Sequence, residues 1–268
     1  MNIYERISES INLIDYISTK TDIRLKKAGT EYRAICPFHE ETKPSFTVSP
    51  VKNLWFCFGC RKGGGIVQFV SLYKNLPNGE ALKYLAKEYG ISFNEKAFSQ
   101  FKKEQARREK LENQLRKSAD TLSSNEIALK YLKERGFKDE TIKVFEFGYS
   151  SYYKAITVPI HDFYGRCVGV AFRKLEGEPK WINSKNSSLF NKSSILYNLH
   201  RALPYAKKII FIVEGYFDAA SFYQAGMKNV VAIASSTLSK KQAQLLNRLL
   251  GGIQVILVPD MDNPGLEA

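Results

Sequence analysis

Cys36-Pro-Phe-His39 and Cys57-Phe-Gly-Cys60 each set two metal-ligand side chains two residues apart across a short turn. Three thiolates and one imidazole fill a tetrahedral shell and leave no position open, so the pattern specifies a structural zinc site and not a catalytic one. Lys43, Lys52, Arg61 and Lys62 stand among Phe46, Trp55, Phe56 and Phe58 around these ligands. Bases stack on aromatic faces while cations follow phosphates, so the mixture suits single-stranded nucleic acid, with Trp55 and Lys62 as candidate contacts. Some rings must instead fill the small core that a metal staples. Phe38 and Phe58 are expected there; Trp55 and Phe56 could serve either purpose.

A second set of chemical groups is acidic. Glu214 closes the apolar run IIFIVE, Gly215 follows, and Asp218 comes one turn later; Asp260 and Asp262 follow the run QVILVP. In a parallel sheet the carboxyl ends of neighbouring strands open on one crevice, which would bring Glu214, Asp260 and Asp262 together. Clustered carboxylates repel unless a cation bridges them, and hard oxygen ligands suit Mg²⁺ or Mn²⁺. Acids at strand ends also cap helices and turns. The order Glu-Gly-x-x-Asp, then Asp-x-Asp, favours the metal.

Several elements must position these groups. Ile3, Ile7, Ile11, Ile14 and Ile17 recur at helical spacing and predict one amphipathic helix over 3–18. LKKAGTEYRAICPFH and SFTVSPVKNLWFCFGC read as short strands, followed by helices from Ile66 to Tyr73 and from Gly79 to Tyr89. Residues 95–118 are rich in Lys, Arg, Glu and Gln with little apolar periodicity, which predicts a solvated helical linker. SSNEIALKYLKERG reads as a capped helix ending at Gly136, and ITVPIHDFYGRCVGVAFRKL as a hairpin turning at Tyr164-Gly165. IIFIVE, FDAASFYQAG, VVAIA, KKQAQLLNRLL and QVILVPD then alternate strand and helix, the signature of a parallel α/β sheet. The expected divisions are 1–94, a linker over 95–123, 124–205 and 206–268.

The chain has 268 residues, 44% of them hydrophobic, enough for two packed domains. Forty Lys and Arg against 27 Asp and Glu give a net charge of +13, which favours a polyanionic partner. No run is long and apolar enough for a membrane span, and the start MNIYERISESINLIDYI has acidic residues where a signal peptide would have a basic flank, so a cytoplasmic location is expected. Cys167 lies in an apolar run and is expected in a core.

CPFHEETKPSFTVSP followed by FCFGCRKGGGIVQFV resembles the zinc-binding domain of bacterial (DnaG-type) primases. EGYFDAASFYQAG and PDMDNPG resemble the TOPRIM fold that such primases share with topoisomerases and some nucleases. VPIHDFYGRCVGVAFRKL and PKWINSKNSSLFNKSSILYNLHRA resemble the basic subdomain of the primase RNA polymerase domain. The resemblance implies an α+β zinc-ribbon-like N-terminal domain, a helical linker, and a mixed α/β domain ending in a partial TOPRIM fold. It implies synthesis of short RNA primers on a single-stranded DNA template from ribonucleoside triphosphates, with a replicative helicase as partner in a complete system. Glu214 would order the catalytic metal, Asp218 would assist, and Asp260 and Asp262 would hold metal and triphosphate. Lys180, Asn183 and Lys192 match polar residues that line the family's groove for template and nucleotide; Arg166 and Arg173, beside the hairpin, are further candidates.

Three departures qualify the match. The stretch between FGYSS and ITVPI is shorter than in the family, and Ser235-Ser236-Thr237 stands where the family has a Gly-Thr step. The sequence stops at Ala268, so the expected TOPRIM fold is incomplete and its last strand should show an uncovered edge. A non-catalytic protein that binds single-stranded DNA is therefore the alternative. A piece of a primase-helicase is another, although no G-x-x-x-x-G-K-[ST] motif for an ATPase motor occurs.

Overall fold

The computed structural model describes residues 3–92 and 95–260. The chain divides into two compact units, Met1–Gln105 and Ala106–Ala268.

The first unit opens with two helices, α1 (Ile3–Ser10) and α2 (Leu13–Lys20), where the apolar spacing predicts one. Asn12 breaks them: its side chain accepts from the N–H groups of Ile14 and Asp15 and caps α2. Asn53 secures the break from a distant loop. Its amide donates to the carbonyls of Ser8 and Ile11, at 2.9 and 2.7 Å, and its Oδ1 accepts from Leu13 N at 2.9 Å.

Five short strands follow as an antiparallel sheet in sequential order: β1 (Lys26–Ala28), β2 (Glu31–Ala34), β3 (Phe46–Ser49), β4 (Leu54–Cys57) and β5 (Gly63–Gly64). Phe46 pairs with Cys57 and Val48 with Trp55, so these four residues share the buried face. Thr47 and Phe56, the pair between them, lie on the other face. Helices α3 (Ile66–Tyr73) and α4 (Asn78–Glu88) complete the unit, and Tyr16, Phe46, Trp55 and Phe69 form its aromatic centre.

Helix α5 (Glu95–Ser123) runs across the boundary between the units. The expectation of a wholly solvated linker is corrected: Phe101, Glu104, Arg108 and Leu122 are buried, and Phe101 stacks on Tyr4. Phe101, Glu104 and Arg108 fall on one helical stripe, but two of the three are ionisable residues with long apolar stems. Hydrophobic periodicity is therefore faint in the sequence.

In the second unit α6 (Glu126–Glu134) is capped by Asn125, whose Oδ1 accepts from Ala128 N at 2.8 Å, and α7 (Asp139–Val144) follows. Strands β6 (Gly148–Ser150), β7 (Ala155–His161), β8 (Cys167–Lys174) and β9 (Trp181–Asn183) form an antiparallel sheet in that order. The β7–β8 hairpin turns where expected, with Gly165 at φ +82° and its N–H on the Asp162 carbonyl. After the short α8 (Leu199–Ala202) come β10 (Ile209–Val213), α9 (Tyr216–Gln224), β11 (Val230–Ala232), α10 (Lys240–Leu250) and β12 (Gln254–Val258). The three strands make a parallel sheet ordered β11-β10-β12, as the alternation of elements predicts. One core, including Phe137, Phe147, Ile156, Tyr197, Phe217 and Val230, joins both sheets, and Cys167 is buried. Strand β12 is an edge strand with Val255 and Leu257 exposed.

Candidate metal centres and nucleic-acid surface

The turn before β3, the end of β4 and the turn that follows it bring Cys36, His39, Cys57 and Cys60 together, their ligand atoms all within 4.8 Å of one another. Cys36 Sγ lies 4.0 Å from Cys60 Sγ, and Cys57 Sγ lies 3.8 Å from His39 Nδ1. Adjacent ligands of a tetrahedral zinc ion with bonds of about 2.3 Å stand about 3.8 Å apart, so the four atoms fit that ion. Two turn N–H groups, from Phe38 and Cys60, point at Cys36 and Cys57 sulfur at 3.4 Å each and stabilise thiolate charge.

Glu41 was not singled out in the sequence, yet it organises this centre. Its Oε1 accepts from Cys36 N at 2.7 Å and from Ser45 N at 3.1 Å, and its Oε2 lies 3.2 Å from His39 Nε2. A carboxylate at Nε2 holds the tautomer that leaves Nδ1 as the ligand atom. These bonds, with one from the Ser45 hydroxyl, hold the Glu41 carboxyl below its usual range against the opposing effect of desolvation. Gly59 is required beside it, because an added Cβ would lie 2.4 Å from His39 Nε2.

Trp55 is corrected as a nucleic-acid contact. It is 2% exposed, with its ring stacked on Phe46 and packed against Phe38 and Phe69. Phe58 is only partly buried and meets Phe56 edge to face. Phe38 packs against the centre as expected, and Lys62 is exposed.

In the second unit, the parallel register aligns Val213 with Val258 and with Ala232, so Glu214 and Asp260 emerge at the same end of neighbouring strands. Glu214 Oε1 accepts from Asp260 N at 3.1 Å. Asp218 is first of all a helix cap: its Oδ2 accepts from Gly215 N at 2.9 Å at the start of α9. Among the described residues the only tight group of three or more possible ligands is the Cys-His set, so Glu214, Asp218 and Asp260 do not form one. Asp262 lies outside the described residues. Beside Glu214, Ala234 donates to its carbonyl at 2.8 Å from a left-handed conformation, φ +56°, and leads into Ser235-Ser236-Thr237.

The polar residues near the antiparallel sheet differ in their freedom. Arg173 Nε donates to the Tyr131 hydroxyl at 3.0 Å, and its guanidinium lies over Trp181. Arg173 pairs with Trp181 and Ala171 with Asn183, so Arg173, Trp181 and Asn183 share one face. Asn183 Oδ1 accepts from the hydroxyl of Tyr216, two residues after Glu214. Tyr216, which sequence reasoning missed, thus joins this face to the acidic end of the parallel sheet. Lys180 is exposed and Lys192 half-buried. Arg166 is corrected: its Nε and terminal nitrogen each meet Asp162 Oδ2 at 2.7 Å, and its side chain is nearly buried, so it ties the hairpin turn and presents no open face to a phosphate.

Three family models match the chain: the CHC2 zinc finger over residues 1–101, the DNA primase catalytic core N-terminal domain over 149–203, and a Toprim-like domain over 211–268. The Aquifex aeolicus primase structure, comprising zinc-binding and RNA polymerase domains, is 30% identical with a TM-score of 0.60, covering 100% of this chain and 74% of that one. The chain belongs to the DnaG-type primase family. Family relatives include the DNA primase of Clostridium acetobutylicum, 31% identical over 309 residues, with 100% of this chain and 51% of the relative covered. The DNA primase of Aquifex aeolicus is 31% identical over 303 residues, with 98% and 59% covered. The chain therefore spans about half the length of the curated relatives it matches. A DnaG primase catalytic domain bound to single-stranded DNA shares the fold at 23% identity and a TM-score of 0.53, covering 60% of this chain and 63% of that one. The zinc-ribbon and Toprim-like matches agree with the cysteine and histidine cluster and with a requirement for a divalent metal. No helix among the described residues is long and apolar enough to cross a membrane.

Proposed function

We propose that this chain makes short RNA primers on single-stranded DNA from ribonucleoside triphosphates. The observation that carries the reading is the junction at the carboxyl end of β10, where Glu214 meets Asp260 N and Tyr216 joins the acidic end to Asn183 on the polar face. In the reaction a 3′-hydroxyl oxygen attacks the α-phosphorus of the incoming nucleotide, a P–O bond forms, and the bond to pyrophosphate breaks. Glu214, Asp260 and Asp262 would hold a divalent cation, Mg²⁺ or Mn²⁺, with Asp218 committing one oxygen to its helix cap. Such a cation, when bound, neutralises the triphosphate and favours departure of pyrophosphate.

The chain's own side chains have separate tasks on this reading. Arg173 and Asn183, fixed by Tyr131 and Tyr216, orient phosphate and base, while Lys180, Lys192 and, in the first unit, Lys62 attract the backbone of the template. Zinc held by Cys36, His39, Cys57 and Cys60 keeps the first unit folded, and a replicative helicase would be a partner in a complete replication system.

The test is labelled primer synthesis on single-stranded DNA with ribonucleotides and Mg²⁺ or Mn²⁺, comparing wild type with Glu214→Gln. Product from wild type alone supports the reading; template binding without product in both leaves a single-strand-binding protein. The zinc assignment is tested by metal analysis of Cys57→Ser/Cys60→Ser, whose unchanged zinc content would refute it.

A further inference from the structure

The turn between β6 and β7 presents Tyr152, which is 88% exposed. A lone surface tyrosine needs no explanation, but this one is backed. Its ring meets Tyr153 edge to face at 4.8 Å, and Tyr153 lies on Phe172 of β8 at 4.4 Å. Tyr153 N also donates to Ser150 Oγ at 3.3 Å. Three rings in series thus run from the sheet to solvent, and the outermost keeps a face open.

Lysines stand at the same end of the sheet as this turn. Lys154 follows in a left-handed conformation, φ +47°, and its carbonyl accepts from Leu175 N at 3.2 Å. Lys174 stands opposite Ala155 in the β7–β8 register, and its N–H bonds to the carbonyl of Lys180 at 3.0 Å. Lys154, Lys174 and Lys180 therefore occupy the same end of three adjacent strands. Two acids share the region. Glu176 and Glu178 are both exposed, and Glu178 sets its carboxylate on Lys180 N and its carbonyl on Lys174 Nζ, each at 3.0 Å.

We propose that Tyr152, supported by Tyr153 and Phe172, is a stacking platform for one unpaired base of single-stranded nucleic acid, whose adjoining phosphates meet Lys154 and Lys180. An exposed π-face accepts any base, and lysines at the same sheet end supply attraction without sequence preference. A protein partner would need a broader apolar surface than one exposed ring at a lysine-bearing end of the sheet. The inference rests on the reading of this chain as a binder of single-stranded template and adds a place where one base is held.

The experiment measures fluorescence-anisotropy binding of the full chain to a labelled single-stranded oligonucleotide and to its abasic counterpart, for wild type, Tyr152→Ala and Tyr152→Phe. Tyr152→Ala should bind the base-bearing strand about tenfold more weakly, within the range expected for one lost stacking contact. It should bind the abasic strand as wild type does, and Tyr152→Phe should behave as wild type on both. Because the ring is exposed, unchanged thermal unfolding is expected in both variants. If wild type binds while Tyr152→Ala matches it on both strands, or loses equally on both, the platform is overturned and template binding stands. A wild-type chain that binds neither strand overturns both.

Discussion

Replacing His161 with Asn should remove a large part of the acid sensitivity of this protein's stability. His161 ends β7, opposite Cys167, and its ring lies 4.8 Å from that of His200. The Nδ1 atoms of both rings are buried without a hydrogen-bond partner among the described residues. Burial, with the Arg201 guanidinium nearby, pushes the His161 pKa down to about 3 and that of His200 well below its ordinary value. Glu146 opposes this from 3.5 Å, but it also bonds Arg201 at 2.9 Å, so its charge is shared. The adjacent Cys167 thiol, raised to about 12 by burial, stays neutral, and Asp162 is tied to Arg166. The unfolded chain binds a proton at His161 below about pH 6.5, whereas the folded chain does so only near pH 3, so stability falls as pH falls between these values. At about pH 4.5, two units below the unfolded pKa, this one ring costs about 2.7 kcal/mol. Urea unfolding of wild type and His161→Asn at several values between about pH 8 and pH 4.5 isolates that contribution, because every other ionisable residue is common to both proteins. A difference between the two that does not change with pH, or a His161 ring that titrates near 6.5 by NMR, would refute the argument.

Two further expectations concern the first unit. Glu41→Gln should weaken zinc binding by about 10- to 100-fold in a chelator competition, because the ligand set survives but the carboxylate that fixes His39 is lost; unchanged affinity would make Glu41 merely a turn residue. Trp55→Ala should cost about 3–5 kcal/mol in urea unfolding, as for other large core residues, and leave single-stranded DNA affinity per folded molecule unchanged. A selective loss of binding without loss of stability would restore Trp55 to the surface role that its burial denies it.

Legibility in the sequence followed the range of the interactions involved. The parallel sheet was readable because each strand is a continuous apolar run with a helix beside it, and the Cys-His set because two ligand pairs sit on local turns. The break between α1 and α2 was not readable, since the apolar spacing passes through it and the deciding side chain, Asn53, comes from another element. The inward turn of Trp55 is legible in the period of its strand. Once Cys57 must face the buried metal side, the two-residue period of β4 turns Trp55 inward with it and Phe56 outward. Glu41 and Tyr216 leave no local pattern, because each acts through a partner distant in the fold or through one atom of a ligand.

The proposed active face also separates two kinds of polar residue. Arg173 and Asn183 spend hydrogen bonds on Tyr131 and Tyr216, which weakens neither as a candidate: a side chain already held in place loses less entropy on meeting substrate. Lys180 is exposed instead, and an ammonium on a flexible stem attracts phosphate without fixing it. On the proposed reading, substitution of an exposed lysine reduces the salt dependence of template affinity by about one released counterion and leaves turnover on bound template nearly intact. Substitution of Asn183 acts the other way, because Tyr216 loses its acceptor two residues from Glu214, so the damage falls on the geometry around the carboxylate and on turnover.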